Sequence, residues 1–299
     1  MADFLTTYSI QRWLELCPQG YLDETVHGHG ESESEPEGLI EDDDLRTEAI
    51  RTTVQLVVGE RAALAASSGL INIAPDYPSK QFLATQTLDE ARHVEIFTER
   101  LYDLNVKPAE LETTIEHFAN PHLIKFAEVL LEKVGNGDFV AGVVGQNIVL
   151  EGMAFSVFEM MEALSRQTNP KFANTLTGTI ADERRHVGFG ENRIGSLLQE
   201  HPEKKPEIER MQQEMTGHML ATFASAFDEG RALDEKGRQA AANEAAAHGE
   251  ELEEVEWHGT DLTSASVDER QGVLENTVLG EFKTRLARIG LEYQAPSGM

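Results

Sequence analysis

The sequence predicts an all-α chain built around a bundle of four long helices. Three observations carry that expectation. Apolar residues recur at steps of three and four through long stretches of the chain. The breaks between the central stretches are short and carry Pro, Gly, Asn or Asp. No run of alternating β-branched residues marks a strand.

In order, a short amphipathic segment covers about residues 4–16, and an acidic stretch punctuated by Gly and Pro, ETVHGHGESESEPEGLIEDDD (24–44), reads as a mobile loop. His27 and His29 lie in that loop and read as solvated residues, because metal affinity rests on fixed ligand geometry. Helices are expected over about 45–73, from near Pro78 to near Leu104, and from after Pro108 to the Gly-Asn-Gly at 135–137. A fourth runs over about 138–166. A fifth opens at Asn169-Pro170, an N-cap followed by a first-turn proline, and runs to about Glu200. A sixth spans about 206–229. An acidic, Ala-rich connection over about 231–265 leads to a last helix ending near Leu291. The domain reading is an N-terminal arm and acidic loop (1–44), a helical bundle (45–230), and an acidic connection with a C-terminal helix packed on the bundle (231–299).

Composition narrows the function. The 299 residues, 40% of them hydrophobic, suffice for one large core or two modest ones. A net charge of −28 argues against nucleic acid and against an anionic membrane surface as partners. The excess acid, with 9 Lys against 16 Arg, fits either a solubilising surface or adaptation to high salt. The start, MADFLTTYSI, does not read as a signal peptide, and the most apolar run, FVAGVVGQNIVL (139–150), is too short and too interrupted to span a bilayer. A soluble, cytoplasmic protein is expected. The single cysteine, Cys17, excludes an internal disulfide and a Cys-rich zinc or iron site.

The chemistry is carried by a motif that occurs twice. Residues 89–94 read DEARHV and residues 182–187 read DERRHV. Each lies mid-helix with its Glu and His three apart, so one carboxylate and one imidazole face the same point. In the first copy Phe82, Gln86, Glu90, His93, Phe97 and Leu101 share a face that is otherwise suited to a core. Two further helices place a lone glutamate in mid-face: Glu60 among Ile50, Thr53, Leu56, Leu64, Ser67 and Ile71, and Glu151 among Val140, Val144, Asn147, Ala154, Phe158 and Met161. One Glu from each of two helices plus Glu-x-x-His from each of two others is the ligand set of a carboxylate-bridged dinuclear metal site. Four carboxylates in a bundle core are very costly as bare anions, and two divalent cations offset them. The oxygen-rich set with two nitrogens suits Fe(II) or Mn(II) better than zinc or copper. Asp89 and Asp182, each preceding a ligand Glu, are placed to accept the second ring N–H of a ligand histidine, that of the opposite helix in the favoured reading. Ion pairs with Arg92, Arg184 or Arg185 are the alternative.

On these residues, over about 45–200, the chain resembles the ferritin-like dinuclear-carboxylate superfamily. QNIVLEGMAFSVF (146–158) and IADERRHVGFGENRI (180–194) look most like the ribonucleotide reductase small-subunit-like ligand-binding oxidases. Reductase small subunits and bacterial multicomponent monooxygenases come next. The resemblance implies a Fe/Fe or Mn/Fe centre on Glu60, Glu90, His93, Glu151, Glu183 and His186 that activates O2, in a homodimer. It also marks departures. The radical tyrosine of reductase small subunits is Phe97 here, and of Tyr8, Tyr21, Tyr77, Tyr102 and Tyr293 only Tyr102 lies on a ligand helix, about half a turn from the metal face. The tyrosine–valine crosslink positions of the ligand-binding oxidases are Gln146 and Ala62. The third histidine of the N-oxygenase branch is Thr179.

The function expected is an oxidase or oxygenase acting on an apolar small molecule with an external electron donor. Phe97, Met153, Phe155, Phe158 and Met161 are candidate pocket walls. Thr179, one turn before Glu183, is a candidate hydrogen-bond donor to bound oxygen, and Gln146 a candidate support for the ligands. The alternatives are a reductase small-subunit-type protein without a tyrosyl radical, and a non-catalytic ferroxidase or metal-handling protein.

Overall fold

The computed structural model describes residues 27–247, 249 and 252–296. The segment expected over 4–16 and Cys17 lie outside them. After a short helix α1 (Glu37–Glu41) come α2 (Asp43–Ile73), α3 (Tyr77–Asp103), α4 (Leu111–Phe118), α5 (Pro121–Gly135) and α6 (Phe139–Ser165). Then follow α7 (Pro170–Glu200), α8 (Lys205–Gly230), α9 (Asp234–Ala247), a two-strand hairpin β1 (Glu256–Trp257) and β2 (Thr260–Asp261), and α10 (Val267–Arg288).

The helices start where side chains cap them. Asp42 accepts from the backbone N–H of Asp44 and Leu45 and opens α2. Asp76 accepts from Ser79 N–H and opens α3, Asp138 from Ala141 N–H in α6, and Asn169 from Phe172 N–H in α7. Each cap satisfies a donor that the first helical turn cannot. Ser266 and Glu269 close a reciprocal capping box at the start of α10.

α2 packs along α3 and α6 along α7, and these two hairpins face each other to form the four-helix core. α8 covers α5 and the middle of α6, and α10 lies on α6 and α7. The core runs continuously through Val54, Val57, Leu70, Leu83, Phe97, Leu101, Val144, Met153, Leu176 and Ile194, all nearly or fully excluded from water. α2 and α6 are long and apolar enough to cross a membrane by length and composition, but 83% of the apolar window of α6, and 50% of that of α2, is buried inside the bundle. The run at 139–150 is thus the first half of a central core helix.

One segment of α6, Val144–Leu150, is wound as a π-helix, so that the N–H of Glu151 bonds to the carbonyl of Gln146. Such i→i+5 turns are rare and concentrate at functional sites.

Four sequence expectations need correction. The helix expected from Pro108 to 135 is two helices, because Asn120 caps α5 with Pro121 in its first position. The connection 231–265 contains α9 and the hairpin. The later part of the acidic loop is docked. Glu35 is buried and its carboxylate takes Arg100 Nε at 2.8 Å and Asn169 Nδ2 at 2.7 Å, while Arg100 also donates to Thr53 Oγ1 at 2.7 Å and stacks on Phe172. Glu33 accepts from Asn174 at 2.8 Å. A charged loop becomes ordered here because a buried arginine needs its carboxylate. Finally, the last helix ends at Arg288.

Candidate metal centre

Glu60 comes from α2, Glu90 and His93 from α3, Glu151 from α6, and Glu183 and His186 from α7. All six are buried, with His93 and Glu90 fully excluded from water. One ligand atom each from Glu60, Glu90, His93 and Glu183 lies within 4.8 Å of the others, and the same holds for Glu90, Glu151 and His186. His27 and His29 stack on each other and join no such group among the described residues.

The cluster has an internal two-fold pattern. His93 Nδ1 faces Glu60 Oε2 at 3.3 Å, Glu90 Oε2 at 3.6 Å and Glu183 Oε1 at 3.5 Å. His186 Nδ1 faces Glu90 Oε1 at 3.3 Å, Glu183 Oε2 at 3.5 Å and Glu151 Oε1 at 3.7 Å. Glu90 and Glu183 therefore present one oxygen to each histidine, whereas Glu60 and Glu151 each serve one side. The two rings are 6.3 Å apart, and Phe82, stacked on Phe189, stands edge-on to His186.

The aspartates lie behind the histidines, each across the helix pair. His93 Nε2 is 3.2 Å from Asp182 Oδ2, and His186 Nε2 is 3.2 Å from Asp89 Oδ2. The arginines of the motif hold these aspartates at the same time. Arg92 donates to Asp182, and Arg185 donates to both Asp182 and Asp89. The two sequence readings of Asp89 and Asp182 are thus compatible in one network. With each Nε2–H given to an aspartate, each Nδ1 points into the cluster, its lone pair free for a metal once the ring is neutral.

Three amides that surround Glu151 complete the inner layer. Gln86 Nε2 donates to Glu151 Oε1 at 2.7 Å, Gln146 Nε2 to the same oxygen at 3.2 Å, and Asn147 Nδ2 to Oε2 at 2.9 Å. Sequence reading singled out Gln146 for support and left Gln86 and Asn147 as face residues; both are buried amides one turn before a ligand Glu, which is the signal that could have found them. Thr179 is buried and its hydroxyl donates to the carbonyl of Thr175 at 3.2 Å.

Electrostatics follow from burial and crowding. Burial pushes the Glu60 carboxyl up to about 8, against the pull of His93. Burial, then the neighbouring Glu183, raises Glu151 well above the usual carboxylate range. For Glu90 burial acts upward too, but His186 and His93 hold it down at about 2. Burial works against charge on both imidazoles, yet Glu60 and Glu90 raise His93 to about 9, and Asp89 and Glu183 lift His186 well above its ordinary value. The cluster thus stores protons that a cation would displace.

Among the described residues, buried Glu90 Oε2, Glu183 Oε2 and His186 Nδ1 find no hydrogen-bond partner. Buried polar atoms are rarely left so, and these three converge on the space between the histidines. This donor set fits two divalent cations: four carboxylates and two imidazoles, oxygen-rich, with two carboxylates spanning both positions.

A narrow apolar cavity of about 170 Å3 reaches the cluster. Leu56, Gly59, Ala63, Ala154, Val157, Phe158, Met161, Met219 and Phe223 line it, Glu60, Glu151 and Glu183 form its inner end, and Glu48, Arg51 and Glu229 its outer end. Of the expected walls, Phe158 and Met161 line this cavity. Phe97 and Met153 are fully buried core. Phe155 faces a separate polar groove, between Arg184 and Arg285. Helical periodicity identifies an inward face, but it does not say which inward residue borders a void. Tyr102 is partly exposed, beside Arg61 and Glu99.

No family model and no curated protein matches the chain. Solved structures do. A variant of an R2-like ligand-binding oxidase with an aerobically reconstituted Mn/Fe cofactor aligns with a TM-score of 0.64 at 16% identity, over 83% of this chain and 82% of that one. A second variant of an oxidase of that name gives 0.65 at 17% identity, over 81% and 80%. Protein 19 from Synechococcus, with aldehyde deformylating oxidase activity, gives 0.61 at 15% identity, over 85% and 94%. At these identities the likeness is one of fold. The chain has the all-α, ferritin-like bundle of these oxidases.

Proposed function

We propose that this protein is an O2-activating dinuclear metal oxidase or oxygenase, with an Fe/Fe or Mn/Fe centre and an apolar small-molecule substrate. The observation that carries this reading is the pair of histidine Nδ1 atoms, each facing three buried carboxylates of which Glu90 and Glu183 are shared. The Mn/Fe cofactor of the R2-like neighbours and the oxidase activity of the Synechococcus protein support it.

Glu60, Glu90, His93, Glu151, Glu183 and His186 would hold the two metals. The bound pair would supply O2 reduction coupled to substrate oxidation. The chain's own residues set the conditions for it. Asp182 and Asp89 hold the proton on Nε2 of His93 and His186. Glu90 and Glu183 offer one oxygen to each side. The walls at Leu56, Val157, Phe158 and Met219 exclude water and admit an apolar molecule to Glu60, Glu151 and Glu183. Thr179 remains the candidate hydroxyl one turn from Glu183, its proton directed to Thr175 in the metal-free form.

The same reading takes 45–230 as the metal-binding bundle, 1–44 as an arm and 231–299 as a covering extension. It takes the protein as a soluble, cytoplasmic homodimer served by an external electron donor. The apolar cavity favours small-molecule oxidation over ferroxidation for metal storage. Sizing of the purified chain tests the assembly: a particle of twice the 33.1 kDa chain mass fits the dimer, and a large shell fits metal storage instead. For the activity, anaerobic loading with Fe(II), with and without Mn(II), should give two metals per chain and an optical spectrum that changes on admitting O2. Loss of metal uptake in Glu60→Ala and Glu151→Ala ties that result to the site. Unchanged uptake in both variants would remove the reading.

A further inference from the structure

The two glutamates that each serve one side of the cluster are not held alike. Glu151 takes three amide donors, from Gln86, Gln146 and Asn147, all fully buried. Among the described residues Glu60 takes none; its hydrogen-bond partner is His93. An ionised carboxylate has about four acceptor sites. Three of those of Glu151 are engaged, two on Oε1 and one on Oε2, which leaves one, on Oε2, for a metal.

The π-helical turn explains how adjacent residues reach one carboxylate. In an α-helix Asn147, four before Glu151, lies on the same face, but Gln146, five before it, does not. A turn bonded i→i+5 brings the residue five back into line as well. The N–H of Glu151 makes that bond to the carbonyl of Gln146. Asn147 is fixed in turn, since its Nδ2 also donates to Gln86 Oε1 at 3.1 Å and to the carbonyl of His186 at 3.2 Å. Gln86 comes from α3, where its Nε2 also donates to Glu90 Oε1, the oxygen on the His186 side, at 3.3 Å, and Gln146 Nε2 also donates to the Ala63 carbonyl on α2 at 3.2 Å; with the His186 carbonyl on α7, the clamp joins all four core helices.

We propose that Gln86, Gln146 and Asn147 are positioning residues that lock Glu151 as a one-oxygen ligand at the His186 position, leaving Glu60 as the terminal carboxylate free to move. This rests on the dinuclear reading above. It makes a pseudo-symmetric ligand set chemically unequal: rearrangement on binding a second metal or a substrate falls to Glu60, at the inner end of the cavity.

The test is an anaerobic Mn(II) titration of the full chain, with free Mn(II) counted by EPR, on the parent, Gln86→Met, Gln146→Met, Asn147→Leu and Glu151→Ala. Methionine keeps the length of glutamine and removes its donors. The clamp predicts that each amide variant weakens one of the two Mn(II) equivalents about 10–100-fold, the one that Glu151→Ala abolishes, and leaves the other unchanged. Equal weakening of both equivalents would mean a merely structural role, and two unaltered equivalents would mean none; either overturns the clamp while the dinuclear site stands. Gln86→Met lies outside the π turn, so it keeps the test valid if the Asn147 variant fails to fold. A parent that takes up fewer than two Mn(II) ions overturns the dinuclear reading and the clamp with it.

Discussion

Asp182, on α7, stands 3.2 Å from Nε2 of His93, on α3. Asp89 on α3 has the same relationship, at the same distance, to His186 on α7. Each copy of the DExRHV motif thus supplies the proton acceptor for the histidine of the other copy. Asp182→Asn should weaken metal binding about 10–100-fold, because an amide no longer fixes the ring proton on Nε2. A competition titration against a chelator measures this, and wild-type affinity in the variant would refute the assignment.

Metal uptake should release protons and strengthen as pH rises. In the metal-free protein burial raises Glu60 to about 8, and the carboxylates of Glu60 and Glu90 raise His93 to about 9, so the Glu60–His93 pair keeps a proton at neutral pH. Metals bind the deprotonated forms. Affinity should therefore climb with pH until it passes about 9. Calorimetry in buffers of different ionisation enthalpy reads the proton count directly; zero release would contradict the proton-storing cluster.

Glu35→Ala should destabilise the fold by about 3 kcal/mol, the low end of the cost of leaving a buried charge without its partner. Arg100 retains Thr53 and the Phe172 ring, which is why the low end applies. Urea unfolding monitored by circular dichroism checks it, and a change below about 0.5 kcal/mol, the range of ordinary surface substitutions, would show that the loop is not tied down by this pair.

Gly190→Ala should cost about 1–3 kcal/mol through overpacking. A Cβ at residue 190 would lie 2.5 Å from Asn147 Cβ, and Asn147 is held by its amide bonds to three partners. The melting temperature of the variant should drop, and an unchanged value would show that α6 and α7 can separate there without penalty.

Much of this site was legible because its chemistry sits at helical spacing. Glu60, Glu90, Glu151 and Glu183 stand out as charges in apolar faces, and the doubled motif paired them. The π turn was not legible. Val144–Leu150 (VGQNIVL) carries no residue that distinguishes a π turn from an α turn, and nothing local separates i→i+5 from i→i+4 bonding. The bond of Gln146 to Glu151 depends on that turn, and that of Gln86 to Glu151 on a partner helix, so both emerge only in three dimensions. Glu35 was hidden by its setting, an acidic loop in which one carboxylate among many finds a buried arginine. The break before α5 is different. Asn120-Pro121 is the same cap-and-proline signal read correctly at Asn169-Pro170, and it lay within a segment whose apolar periodicity looked continuous.

The central claim is a dinuclear centre that reacts with O2. Its most direct test is elemental analysis of the metal-free protein after anaerobic reloading with Fe(II), with and without Mn(II), followed by optical and EPR spectra before and after exposure to O2. Two metals per chain and spectra that change with O2 are predicted. Fewer than one metal per chain, or spectra indifferent to O2, would contradict it.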